Sequence, residues 1–260
     1  MVIQNAIKMA LCIALSGAVT LFASESGKLA DRAKKSLKAG KFAKGYSQLE
    51  RALVASRKEA DRNAEVRILI AMGQVRIKNL DFNMADSLLN SIDSDGLNRP
   101  TKAMLLRSKI ALKNATENYS EAVSLCESAN KTNLDKIDDQ LQGAFYSECA
   151  IAYAGNHNSG KAAEALKMVA KSTDDDTGIY FWTEARLADL QKSGNADSIY
   201  IKAEDKSVEA NIPYTTANIL YHRAKFLEKS KPEEAKKLFA RCKTAFELMG
   251  LPKKAESCGR

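Results

Sequence analysis

Four prolines, two histidines and one tryptophan are all that this 260-residue chain holds of those residue types, and its five cysteines include no CxxC pair. With no HExxH and no second histidine or carboxylate at ligand spacing from His157 or His222, a metal site is not expected. The lack of CxxC removes zinc ribbons and thioredoxin-like redox chemistry. No apolar stretch reaches the ~20 residues that a membrane-spanning helix needs. No segment sustains the alternation of a strand, so a sheet is not expected. Neither a nucleophile-base pair nor a cofactor loop emerges, and the chain is read as no enzyme, with no cofactor. At 45% hydrophobic and 28% charged residues, the composition is that of a folded protein and argues against extended disorder.

What is present is periodic. Gly45, Ala85, Ala122, Ala162, Ala196 and Ala235 each follow a turn by a few residues, at spacings of 40, 37, 40, 34 and 39. Such a period marks helix pairs that bury their apolar faces by stacking on neighbours. Four residues after each small position stands a larger one, Leu49, Leu89, Cys126, Leu166, Tyr200 and Phe239, and three further on Ala52, Ile92, Ala129, Val169, Ala203 and Cys242. A small residue lets two helix backbones approach, and the larger one fills the groove beside it. Pro100, Pro213, Pro232 and Pro252 fall where helices should begin, because the first turn has no use for the N–H that proline lacks.

Small, then large four on, then small or aliphatic three on resembles the second helix of the tetratricopeptide repeat. Leu69, Met72, Gly73 and Tyr146, Cys149, Ala150, Tyr153 match its first helix. The resemblance runs from about residue 27 to the end and implies an all-α, right-handed α-solenoid of about six hairpins, with Pro252 opening a C-terminal capping helix. It further implies a concave face formed by the first helix of each pair, where family members commonly bind peptides or helices of other proteins. By matching positions, Lys34, Lys38, Arg67, Ile70, Gln74, Ile77, Lys78 and Arg107 would line its N-terminal half. The two-carboxylate clamp of chaperone-binding members is not reproduced, since Lys34 and Ala30 replace its asparagine and lysine.

The first residues form a different unit. One charge, Lys8, precedes the uncharged stretch Met9 to Phe22, and Ala23-Ser24-Glu25 then turns polar, as in a secretory signal peptide. The expected division is a signal peptide over 1–23 and a repeat domain over 24–260. Cleavage after Ala23 would put Leu21 at the third position back, whereas Ala18 with Ser16 fits the small-x-small rule but lies inside the apolar run. Leu11 before Cys12 argues against a lipoprotein. The alanine-rich leader is of bacterial kind, which places the protein in the periplasm or cell envelope. Asn114-Ala115-Thr116 and Asn118-Tyr119-Ser120 would be glycosylated only in a eukaryotic secretory pathway.

Loss of Lys8 with the leader lowers the net charge from +8 to +7. Lys28, Arg32, Lys34, Lys35, Lys38, Lys41, Lys44, Arg51, Arg57 and Lys58 crowd residues 27–60 against Asp31, Glu50 and Glu59, while residues 114–148 are acidic. A basic first repeat outside the cytoplasm suits an acidic protein, an anionic wall polymer or a membrane surface rather than nucleic acid. The other reading of these charges is a solvated helix face.

Three local patterns invite stronger readings. Gly155 to Ala162 approaches the phosphate loop GxxxxGK[ST], but Ala162 stands where magnesium needs a hydroxyl, and the preceding residues read as helix; an inter-helix turn explains them. Asp174-Asp175-Asp176 lacks the ordered oxygens and final glutamate of a calcium loop and reads as a helix N-terminus, with Tyr180, Phe181 and Trp182 packed behind it. Cys126, Cys149, Cys242 and Cys258 survive leader removal and allow three pairings. The repeat geometry favours Cys126 with Cys149 and Cys242 with Cys258, each pair on consecutive helices, with buried free thiols as the alternative. The expected function is a non-enzymatic protein–protein interaction scaffold binding a partner on the concave face. Adhesion to an anionic surface through the first repeat is the alternative.

Overall fold

A computed structural model describes residues 24–129, 134–173 and 178–259. The leader and the three aspartates at 174–176 lie outside the described residues. Among those described, thirteen α-helices occur and no strand. They form six antiparallel hairpins: α1 (Glu25–Lys38) with α2 (Phe42–Lys58), α3 (Arg62–Lys78) with α4 (Phe82–Asn90), α5 (Arg99–Ala115) with α6 (Tyr119–Ser128), α7 (Asp139–Gly155) with α8 (Ser159–Thr173), α9 (Gly178–Leu190) with α10 (Ala196–Glu209), and α11 (Pro213–Leu227) with α12 (Pro232–Met249). A short α13 (Pro252–Ser257) follows. The chain is an all-α solenoid of tetratricopeptide-like hairpins.

The starts of the first four first-helices are fixed by side chains. Ser24 Oγ accepts from Gly27 N at 3.1 Å, Asp61 Oδ1 from Ala64 N at 2.9 Å, Asn98 Oδ1 from Thr101 N at 3.0 Å and Asp138 Oδ1 from Leu141 N at 2.9 Å. Each satisfies a donor that the helix leaves unpaired. The turns inside the first five hairpins repeat one device. Gly40, Leu80, Glu117, His157 and Lys192 take left-handed backbone, and the next residue's N–H bonds back to Ser36, Arg76, Lys113, Tyr153 and Ala188 carbonyls at 2.7 to 2.9 Å. This is the Schellman closure, which favours glycine at the left-handed position. His157 at φ 59° shows the GxxxxGK-like stretch to be such a turn.

The periodic residues pack as their spacing requires. All six small positions are buried, and Ala85, Ala122, Ala162 and Ala196 are wholly so. At Gly45 an added Cβ would stand 2.6 Å from Leu37 Cδ2, so at this α1–α2 crossing even alanine would force the Leu37 side chain to move.

The array does not remain open. One core cluster joins Leu29, Phe42 and Met72 of the first two hairpins to Leu220, Phe246, Leu251 and Cys258 of the last hairpin and α13. At this seam the Phe42 and Tyr214 ring centroids are 5.6 Å apart, and Tyr214 and Phe246 are 5.8 Å apart. Lys253 Nζ of α13 pairs with Asp81. Gly40 lies in the seam at φ 74°. A Cβ there would be 3.1 Å from Met249 and 3.2 Å from Pro213, so both conformation and space call for glycine.

Candidate functional site

Because the two ends meet, the first helices face an enclosed axis instead of an open groove. On α11 the residues at helical spacing, Tyr214, Asn218, Tyr221, His222 and Lys225, run along one side. Opposite Tyr214 stand Lys78 of α3, Arg107 of α5 and Glu148 of α7. Lys78 Nζ lies 4.5 Å from the Tyr214 centroid and 5.5 Å from that of Phe42. Arg107 Nη2 is 3.9 Å from Glu148 Oε1, and Asn114 Nδ2 donates to both the Glu148 carbonyl at 2.8 Å and Oε2 at 3.1 Å.

Burial dominates the electrostatics here. It drives the Lys78 ammonium down to about 8, with repulsion from Arg107 adding to the effect and Glu148 opposing it. It raises the Glu148 carboxyl above its usual range despite Arg107, Asn114 and Lys78, and raises the Tyr214 phenol. Arg107 Nε, Asn114 Oδ1 and Asn218 Oδ1 are buried with no hydrogen-bond partner among the described residues.

Farther along the axis, Arg186 of α9 is buried and donates to Asp189 at 2.6 Å, while Tyr200 O–H donates to the same carboxylate at 2.7 Å. His222 lies between two rings, with centroids 5.4 Å from Trp182 and 5.1 Å from Tyr221. Burial, then Arg186, Lys254 and Lys225, hold the imidazole well below its ordinary pKa, so it is neutral. Tyr180 and Phe181 meet edge-on at 5.4 Å, and Phe181 and Trp182 pack against a core cluster.

Of the residues expected to line a groove, only some share a surface. Lys34, Lys38 and Arg67 are exposed. Ile70 is fully buried against α4 and α5 residues, so it cannot touch a partner; its place in the repeat turns it toward the second helices. Gln74 is engaged with Ser108 Oγ at 2.8 Å, and Ile77 packs on the same core cluster as Ile70. Lys78 and Arg107 face the axis, apart from the exposed lysines of α1. Cys126 is bonded to Cys149 and Cys242 to Cys258, with Cα separations of 5.7 and 6.2 Å. The axial residues Glu148, Arg186 and Lys254 escaped sequence reasoning. Their signal, charge at positions that turn inward, becomes distinctive only once the helices are packed.

No family model matches the chain, and no curated protein matches it. Among solved structures it is similar to a tetratricopeptide repeat protein from Parabacteroides merdae. That likeness has 13% identity and a TM-score of 0.44, and covers 89% of this chain and 98% of the other.

Proposed function

We propose that the protein is a non-enzymatic interaction scaffold of the bacterial periplasm or cell envelope that holds an acidic segment of a partner protein on its basic first hairpin. The observation that carries this reading is the surface of α1. Lys28, Arg32, Lys34, Lys35 and Lys38 are exposed on that one helix, and among the described residues none has a carboxylate within 4 Å. Helical proteins usually intersperse surface charges of both signs, and an uncompensated field of one sign steers an oppositely charged partner. A partner on this face stays outside the axis, which the last hairpin blocks.

The same helix supports a second reading, adhesion to an anionic wall polymer or membrane. Crosslinking in the native organism, with wild type beside Lys34→Glu/Lys38→Glu, separates the two. The scaffold reading expects an acidic peptide of one protein crosslinked to α1 and lost in the variant. Sedimentation with wall polymer or anionic vesicles, abolished by the same substitutions and by salt, with no protein crosslinked, would replace it with adhesion. Export is tested by N-terminal sequencing of the mature chain from a periplasmic fraction, expected to begin near Ser24.

A further inference from the structure

Lys254 is an unusual lysine. It lies on α13, the helix that completes the seam, and is only 6% exposed. Its ammonium sits 4.3 Å from the Tyr221 centroid and 5.7 Å from that of Phe246. Among the described residues it has no carboxylate within 4 Å. Lys225 is exposed, and its ammonium lies 5.6 Å from the same Tyr221 ring, also without a carboxylate. Arg186 stands 6.0 Å from the Trp182 ring, which contacts His222, which in turn contacts Tyr221. Three elements, α9, α11 and α13, therefore gather three cations around two aromatic rings.

The charges do not balance. Asp189 neutralises Arg186 at 2.6 Å, and His222 is neutral, so Lys225 and Lys254 leave a surplus of two positive charges. Aromatic faces compensate a cation only weakly. A buried ammonium without an anion is costly to hold, and burial already brings Lys254 down to about 8. An occupant with two negative charges would remove that cost. The neutral imidazole can donate one hydrogen bond to it. One turn before His222 on α11, the buried Oδ1 of Asn218 has no partner among the described residues and can accept from a hydroxyl on the occupant.

We propose that Arg186, His222, Lys225 and Lys254, walled by Trp182 and Tyr221, form a binding site for a phosphate dianion, either inorganic phosphate or the phosphate of a small hydroxylated monoester. Of the two lysines on the Tyr221 ring, Lys225 is exposed and Lys254 is buried. This site is independent of the proposed partner surface on α1. A phosphate here would also tie α13 to α9 and α11.

Trp182 is the chain's single tryptophan and belongs to the site, so its fluorescence reports occupancy directly. The mature chain is titrated at pH 7 with inorganic phosphate and with glycerol 1-phosphate, against sodium chloride at matched ionic strength. Expected are a saturable change in emission with one or both phosphates and none with chloride, and at least tenfold weaker binding in Lys254→Met. Lys225→Ala, a surface change that leaves the fold intact, should weaken binding severalfold. Tighter binding of the monoester would identify an organic phosphate, and equal or tighter binding of the free ion would identify inorganic phosphate. Absence of a saturable change up to ~10 mM of either ligand would overturn the proposal, as would binding that Lys225→Ala leaves unaltered.

Discussion

If the solenoid closes on itself, energy must pass between residues that a simple stack of hairpins would never couple. The Phe42–Tyr214 contact tests this, since it joins the start of α2 to the start of α11. Phe42 is 2% exposed and packs among first-hairpin residues as well as Tyr214, so Phe42→Ala should cost about 3–5 kcal/mol. Most of that loss is local. The part belonging to the seam is the coupling energy in the cycle Phe42→Ala, Tyr214→Ala and the double variant. Ring pairs at this separation are worth about 0.5–1.5 kcal/mol beyond area, so the cycle should return a coupling in that range by urea unfolding. Amide exchange on Phe42→Ala supplies the second readout. In an array where each hairpin contacts only its neighbours, protection in α11 to α13 would be untouched. With a seam, protection there falls together with that in α1 and α2. Additivity of the two substitutions within ~0.3 kcal/mol, with unchanged exchange in α12 and α13, would refute the closed ring.

Three other outcomes follow from the same geometry. Lys254 carries a folded-state pKa of about 8, below its unfolded value of 10.5. Between those values the unfolded chain binds the extra proton, so stability should rise with pH from about 8 to 10, by up to ~1.4 kcal/mol per unit from this group. Above pH 10 the raised phenols of Tyr200 and Tyr214 reverse the trend, because the unfolded chain releases their protons first. Urea midpoints across pH 7–11 check this; Lys78 contributes in the same window and direction, so Lys254→Met should roughly halve the rise and not abolish it. His157 sits in left-handed backbone at φ 59°, so His157→Gly should stabilise by about 0.5–1 kcal/mol, raising Tm by roughly 1–4 °C in calorimetry. The Cys242–Cys258 bond spans 16 residues and anchors α13 to α12, so Cys258→Ser should cost about 3 kcal/mol and expose α13 first to exchange.

How much of this could be read from the residues alone depends on the range of the interaction. Helix pairing was legible because it is local: a small residue, a large one four on and a buried one three further on report a crossing of adjacent helices, and Ala85, Leu89 and Ile92 occupy those places with 0, 0 and 7% exposure. Turns at Leu80, Glu117, His157 and Lys192 were legible as breaks but not as left-handed caps, since none carries the glycine that marks Gly40. The concave face was another matter. Repeat phase assigns Lys78 and Arg107 to the inner side, but whether that side is open depends on how many hairpins accumulate before the superhelix meets its own start, a sum of small rotations that no single repeat encodes. Tyr214 looks like an ordinary helix residue until the last hairpin reaches the first, and Lys254 until α13 folds over Tyr221 and Phe246. The surplus of cations around Tyr221 is therefore a property of how α9, α11 and α13 pack together. The basic face of α1, by contrast, was visible from composition because it needs no partner element to exist. The same cause separates the two candidate surfaces. Lys34 and Lys38 should behave alike in any fragment that keeps the first hairpin, while Lys254 should have its depressed pKa only where α9, α11, α12 and α13 are packed together.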